Sequence, residues 1–324
     1  MVYRFLLLPT LALMLVGCGA VPLALPTTQP SATSQPAPTQ AAQLANTPTV
    51  GQPTAAATAS PPPVTRLAVI SDYGTASPNE ARVAELVKSW QPDYVLTTGD
   101  NNYPAGEAST IDANIGQFYH EFIAPYQGSY GAGATTNRFF PVLGNHDLQT
   151  AQGQPYFDYF TLPGNERYYA VDLGPARIYA LNSMPGEQDG IAADSIQGRW
   201  LQQQLAASAA CWNITLMHHP PFSSGLHGSS DWMQWPFADW GADLVLAGHD
   251  HSYERIIQQG IPYLVNGLGG GAVYDLGPPV DGSQLQFNQA YGALLIELDR
   301  ATLRFQFISV DGTVVDDQVL AGGC

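Results

Sequence analysis

From residue 65 onward the chain alternates short apolar runs with stretches of helical spacing. Arg66-Leu-Ala-Val-Ile70 is rich in branched residues and too short for a helix, so it predicts a buried strand. Asn79–Trp90 sets Val83, Leu86, Val87 and Trp90 at helical spacing, with Ser77 and Pro78 as start signals. Further strands are predicted over 93–98, 139–143, 212–217 and 243–247. Helices are predicted over 111–123, 195–207 and, in a short form, 232–240. From Glu254 the pattern turns to strands and glycine-rich turns. Alternation first and a strand-rich tail afterwards predict an α/β fold with two sheets packed together.

The residues just past these strands carry the chemistry. The five runs are followed by Asp72, by Asp100, by Asn145 with His146, by His218, and by His249 with His251. Ligands bind beyond the C-terminal ends of strands in open α/β sheets. Two carboxylates, an amide oxygen and three imidazoles make a mixed oxygen and nitrogen set, which suits first-row transition metals better than Mg or Ca alone. Six ligands exceed the needs of one tetrahedral ion, so two ions are implied, with an Asp carboxylate able to bridge them. Hydrolytic two-metal sites hold their ions about 3.5–4 Å apart and clamp an in-line displacement at phosphorus.

Blander readings exist for several of these residues. An Asp after a strand often caps a following helix, but five such positions in series favour ligands. His218 and His219 are adjacent, so only one can point down a given side of an extended chain. His120 has no partner motif and reads as structural or as a surface residue. Trp232, Trp235 and Trp240 with Phe222 and Phe237 read as core, with a stacking rim for substrate as the alternative. Asn213-Ile-Thr215 fits a glycosylation sequon but opens a buried strand, and is read as chance. Tyr126–Asn137 reads as a mobile glycine-rich loop near the site.

Composition changes the picture mainly at the N-terminus. The 324 residues hold 11 Lys and Arg against 27 Asp and Glu, a net charge of −16 with no basic cluster, which argues against a nucleic-acid partner. Residues 1–18 read as a signal peptide with Arg4 in its n-region and an apolar run to Val16. Leu15-Val16-Gly17-Cys18 resembles a bacterial lipobox, which predicts export and a lipid on Cys18 holding the chain at the cell surface or the periplasmic face of a membrane. Residues 19–64 are Pro-, Thr- and Ala-rich, lack any charge and predict a disordered tether. One domain of about 260 residues then spans 65–324. Its two cysteines, Cys211 and Cys324, pair or stay free; spacing does not decide.

Asp72-Tyr-Gly74, Gly99-Asp-Asn-Asn-Tyr103, Gly144-Asn-His-Asp147, His218 and Gly248-His-Asp-His251 resemble the calcineurin-like metallophosphoesterases. More narrowly they are similar to the purple acid phosphatase branch, of the small single-domain kind. Many relatives have a histidine where this chain has Gly74, and Tyr103 three residues after Asp100 matches the branch. Leu162–Tyr168 and His251-Ser-Tyr-Glu-Arg255 are similar to segments of it too. The resemblance implies a four-layer αββα sandwich with two mixed β-sheets. It implies ferric iron on Asp72, Asp100, Tyr103 and His251. A second ion, Fe(II), Zn or Mn, would lie on Asp100, Asn145, His218 and His249. His218 is preferred to His219 because the family's ligand precedes x-Pro. His146 and His227 would be the catalytic pair, orienting phosphate and protonating the leaving oxygen, with His227 the general acid. The implied activity is hydrolysis of small phosphate monoesters by a metal-bound hydroxide. A phosphodiesterase or nucleotidase on the same site, and an inactive surface binding protein, are the alternatives.

Overall fold

Three parallel strands form the heart of the first sheet: β1 (Thr65–Ile70), β2 (Tyr94–Thr97) and β3 (Phe139–Phe140). In the computed structural model, which describes residues 63–324, β1 also pairs antiparallel with β11 (Gly292–Leu298). β12 (Thr302–Ser309) and β13 (Val314–Ala321) extend that edge, giving the order β13-β12-β11-β1-β2-β3. The expected signal segment with Cys18, and nearly all of the tether, lie outside the described residues.

The second sheet has seven strands. Its parallel centre is β5 (Ala176–Ala180), β6 (Trp212–Leu216), β7 (Leu244–Ala247) and β9 (Ile261–Asn266). β4 (Tyr169–Leu173) pairs antiparallel at one end, and β8 (Tyr253–Gln258) with β10 (Ser283–Phe287) at the other. Leu244 and Leu246 of β7 share a core with Leu67 and Val69 of β1. Val245 and Ala247, on the opposite face, pack with Leu201 and Leu205 of α4 (Ile196–Ala206) and Phe237 of α5 (Phe237–Trp240). Strands buried on both faces read as unbroken apolar runs, which is why these were legible as strands. On the first sheet, Val83 and Val87 of α1 (Pro78–Ser89) join the shared core. The expected α/β class with two mixed sheets holds.

Several boundaries differ from expectation for local reasons. β3 ends at Phe140 rather than Leu143, because Pro141 has no N–H to donate to the ladder. The 111–123 stretch is helical only as a π turn, a single α turn (α2, Gln117–Tyr119) and a 3₁₀ turn in succession. The expected 232–240 helix is split into a 3₁₀ turn over Asp231–Met233 and α5, with Pro236 between them. A helix over Gln154–Tyr159 (α3) and the β4–β5 hairpin are additions. Segment 126–137 is tied back to the helical stretch: Asp112 accepts from the hydroxyls of Tyr126 and Ser129 and from the Ser129 N–H. Cys211, beside β6, is disulfide-bonded to Cys324 beyond β13, closing a loop of 113 residues in sequence. Among the described residues no helix is long and apolar enough to cross a membrane.

Candidate metal centre

The C-terminal ends of β1, β2, β3, β6 and β7 converge, and the chain bends sharply where they do. Asp72, Asp100 and His249 all take left-handed backbone angles, φ 53°, 51° and 70°. Non-glycine residues pay for that conformation in strain, which is tolerated where surrounding structure fixes it and clusters at functional sites. Each bend turns a side chain back over the strand ends. Asp72 and His218 are fully buried and Asp100 nearly so, and ligand-capable atoms of these three lie within 4.8 Å of one another.

Two groups of atoms form around Asp100. In the first, the Tyr103 hydroxyl lies 3.3 Å from Asp72 Oδ1, 3.0 Å from Asp100 Oδ2 and 3.1 Å from His251 Nε2. His251 Nε2 is 3.3 Å from Asp72 Oδ1. In the second, His218 Nε2 lies 3.0 Å from Asn145 Oδ1, 3.2 Å from His249 Nδ1 and 3.4 Å from Asp100 Oδ2. All seven residues expected as ligands are thus brought together. His218, rather than His219, faces the cluster. The His219 ring turns to Ser183, whose hydroxyl is 3.1 Å from its Nδ1, and lies 4.4 Å from the His249 ring.

The donor chemistry fits cations. His218 Nδ1 faces the Thr98 carbonyl at 2.8 Å and His251 Nδ1 faces the Ala272 carbonyl. Both rings therefore hold their proton on Nδ1 and turn a bare Nε2 inward, an arrangement typical of ligating histidines. In the second group an amide oxygen and an imidazole lone pair then face each other with no hydrogen between them, a repulsion that a cation relieves. Charge reports the same crowding. Burial and the carboxylates of Asp72 and Asp100 hold the Tyr103 phenol far above its usual range. Burial and the neighbouring His218, His219 and His227 push His249 down to about 2. Burial opposes ionisation of Asp100, but His218 and His146 outweigh it and hold the carboxyl well below its normal value. Without a cation a proton takes the His218 Nε2 lone pair instead: burial opposes it, but Asp100 outweighs burial and raises His218 to about 9, so a cation and a proton compete for that atom.

The expected catalytic pair lies against this cluster. The His146 N–H donates to Asp100 Oδ1 at 2.8 Å, and its ring lies 4.4 Å from that of Tyr103. The His227 ring stacks on His249 at 4.2 Å.

Other residues serve the site without having stood out in the sequence. Asp147 is buried and accepts from the Asn101 N–H and side-chain amide and from the Gly144 N–H, stitching the second motif to the third. Tyr274 stacks flat on His251 at 4.0 Å and meets His227 edge-on at 5.5 Å. Gly74 has a steric reason: a Cβ there would lie 1.8 Å from the Asn101 carbonyl oxygen. No side chain fits, so the position has no histidine to offer. Among these, Asp147 carried a signal as the fourth residue of Gly-Asn-His-Asp and Gly74 as the last of Asp-Tyr-Gly, whereas Tyr274 carried none.

Comparison with known proteins agrees with this geometry. Residues 65–253 match the model of the calcineurin-like phosphoesterase family. The chain is 28% identical over 217 residues to acid phosphatase type 7 of Mus musculus, covering 59% of this chain and 47% of that protein. It is 27% identical over 233 residues to purple acid phosphatase 17 of Arabidopsis thaliana, covering 62% of this chain and 67% of that one. It therefore spans about half the length of the mouse relative. Among solved structures, the purple acid phosphatase PPD1 from yellow lupin seeds superposes with a TM-score of 0.66 at 19% identity, over 81% of this chain and 54% of that one. GAP50, described as the anchor in the inner membrane complex of Plasmodium, superposes with a TM-score of 0.61 at 19% identity, over 81% and 90%. At such identity the likeness is one of fold.

Proposed function

The chain belongs to the calcineurin-like phosphoesterase family, and from that premise we propose that it is a dinuclear metal-dependent phosphatase acting on small phosphate monoesters, of purple acid phosphatase type. The observation that carries the reading is the tyrosine: Tyr103 Oη lies within 3.3 Å of Asp72, Asp100 and His251. Asp72, Asp100, Tyr103 and His251 are a hard, anionic set suited to Fe(III). Asn145, His218 and His249, sharing Asp100, are softer and suited to Fe(II), Zn or Mn. Two cations held there would neutralise the bound phosphate and activate water for in-line attack.

The protein's own groups do the rest. His146, fixed through its N–H to Asp100, would steady a phosphate oxygen. His227, over His249, would hold the proton that the leaving alkoxide takes up. The net charge of −16 disfavours polyanionic substrates and so favours small esters. The lipobox-like Cys18 and the uncharged tether support export and a lipid anchor at a membrane surface; the Cys211–Cys324 disulfide suits an oxidising compartment.

The test is a pair of initial rates on the full chain loaded with iron and zinc: an aryl phosphate monoester against the matching diester, from pH 4 to 9. A dominant, metal-dependent monoester rate is expected. A dominant diester rate would move the assignment to a phosphodiesterase, and inactivity on both in metal-loaded protein would overturn the hydrolase reading.

A further inference from the structure

The histidine pair His249 and His251 encloses Asp250, which is fully buried. One carboxylate oxygen, Oδ1, accepts the backbone N–H of His227 at 2.7 Å. The other, Oδ2, accepts the hydroxyl of Ser223 at 2.5 Å, and the same hydroxyl oxygen accepts the Gly225 N–H at 2.9 Å. The loop wraps so closely that a Cβ on Gly225 would lie 2.2 Å from Asp250 Cγ. One strand-turn further on, buried Glu254 accepts the Ser224 N–H at 2.7 Å and the Ser224 hydroxyl at 2.6 Å. Two buried carboxylates from the segment that follows β7 thus grip residues 223–227, and the one nearer His227 lies between two expected metal ligands.

We propose that Asp250 is the positioning residue for His227: it ties the loop bearing that histidine to the turn bearing His249 and His251, and so holds the proton donor in place beside the metal centre. The inference rests on the phosphatase reading above. In the step it serves, the oxygen of the attacking water bonds to phosphorus as the P–O bond to the leaving alcohol breaks; the water gives up a proton to solvent, and the leaving oxygen takes one from the His227 ring. Two features make Asp250 suited to the task. A carboxylate places an acceptor oxygen at both of these positions, whereas an amide fills one of them with an N–H₂. Its charge also strengthens both hydrogen bonds within a dry interior.

Asp250→Asn keeps the shape but presents an N–H₂ to one of the two donors. The full-length, metal-loaded variant should lose roughly tenfold or more in kcat on butyl phosphate, whose alkoxide must be protonated, where tenfold is about 1.36 kcal/mol of barrier. On para-nitrophenyl phosphate, whose phenolate leaves unaided, the loss should be several times smaller. KM and metal content should stay at the wild-type values. Joined to His227→Gln, the change should add nothing further. Ser223→Ala, which removes one donor and tests the idea should Asp250→Asn not fold, should show the same selectivity at smaller size. Equal losses on both esters, loss of metal, wild-type rates in both variants, or losses that add to those of His227→Gln would overturn the proposal. Wild-type protein hydrolysing neither ester would overturn the functional reading with it, whereas His227→Gln keeping full rates on both would remove His227 as the donor, and this proposal, while leaving the phosphatase reading in place. A selective loss in His227→Gln with wild-type rates in Asp250→Asn and Ser223→Ala would overturn the Asp250 assignment alone.

Discussion

The two sheets contribute different chemistry to the same place. The first sheet delivers oxygen: Asp72 after β1, Asp100 and Tyr103 after β2, Asn145 after β3. The second delivers nitrogen: His218 after β6, and His249 and His251 after β7. Neither edge alone holds a set suited to a cation pair, so the centre exists only where the two sheets meet. The sheets also hold their contributions differently. On the oxygen side the backbone itself bends, with Asp72 and Asp100 in left-handed conformations, a device the three histidines of the nitrogen side share only at His249. On the nitrogen side two rings are aimed through their far nitrogens, by the carbonyls of Thr98 and Ala272. Thr98 directly follows β2, so the first sheet orients an expected ligand of the second. Docking of the two sheets and geometry of the site are therefore one property.

Asp100 is where this division breaks down, since it touches Tyr103 on one side and His218 on the other. Replacing it with Asn should have the largest effect of any single change: loss of at least one metal per chain and a fall in kcat of about a thousandfold or more. Full metal retention, read by elemental analysis, would show that the two halves do not share it. Tyr103→Phe acts on the oxygen half only. It should leave the fold intact, abolish any tyrosinate-to-iron absorption, and cost roughly 10–100-fold in rate, comparable to the loss of an oriented group beside a metal. A visible band surviving the change would remove Tyr103 from the ligand set.

The site was more legible in the sequence than its supports were. Each expected ligand follows a strand by two to six residues, so its place at a sheet edge is a local fact. The supports join residues far apart in sequence: Asp250 reaches Ser223 and His227, Ser183 reaches His219, and Tyr274 covers His251. No spacing announces such contacts. In the fold, β4 and β5 were missed because Asp172 and Arg177 interrupt their apolar patterns on the edge of the sheet, where they pair with each other at 2.9 Å. The helical stretch after Asp112 carried the right periodicity for a helix but not for a regular one. The choice between a disulfide and two thiols at Cys211 and Cys324 needed the path of β13, which brings their Cα atoms to 4.9 Å.

The smallest effect we predict lies behind the oxygen side and concerns stability. Ser77 caps α1 by accepting the Glu80 N–H, and Glu80 reaches back so that its Oε2 accepts the N–H groups of Thr75 and Ala76, three residues beyond Asp72. Its Oε1, however, is buried without a partner. Burial raises the Glu80 carboxyl well above its normal value, and the hydrogen bonds only partly offset this. A carboxyl whose folded pKa is raised contributes stability that is fully present below its unfolded pKa and is lost as pH rises through the folded one. Glu80→Gln keeps an acceptor for the turn but cannot ionise. Its stability relative to wild type should therefore improve from pH 4 towards pH 8, by about 1 kcal/mol, the scale of one poorly satisfied buried group. Urea denaturation midpoints of metal-free protein at the two pH values check this. A difference independent of pH would mean that Glu80 is ionised throughout, and that the turn after Asp72 is held by charge rather than by a neutral hydrogen-bonded cap.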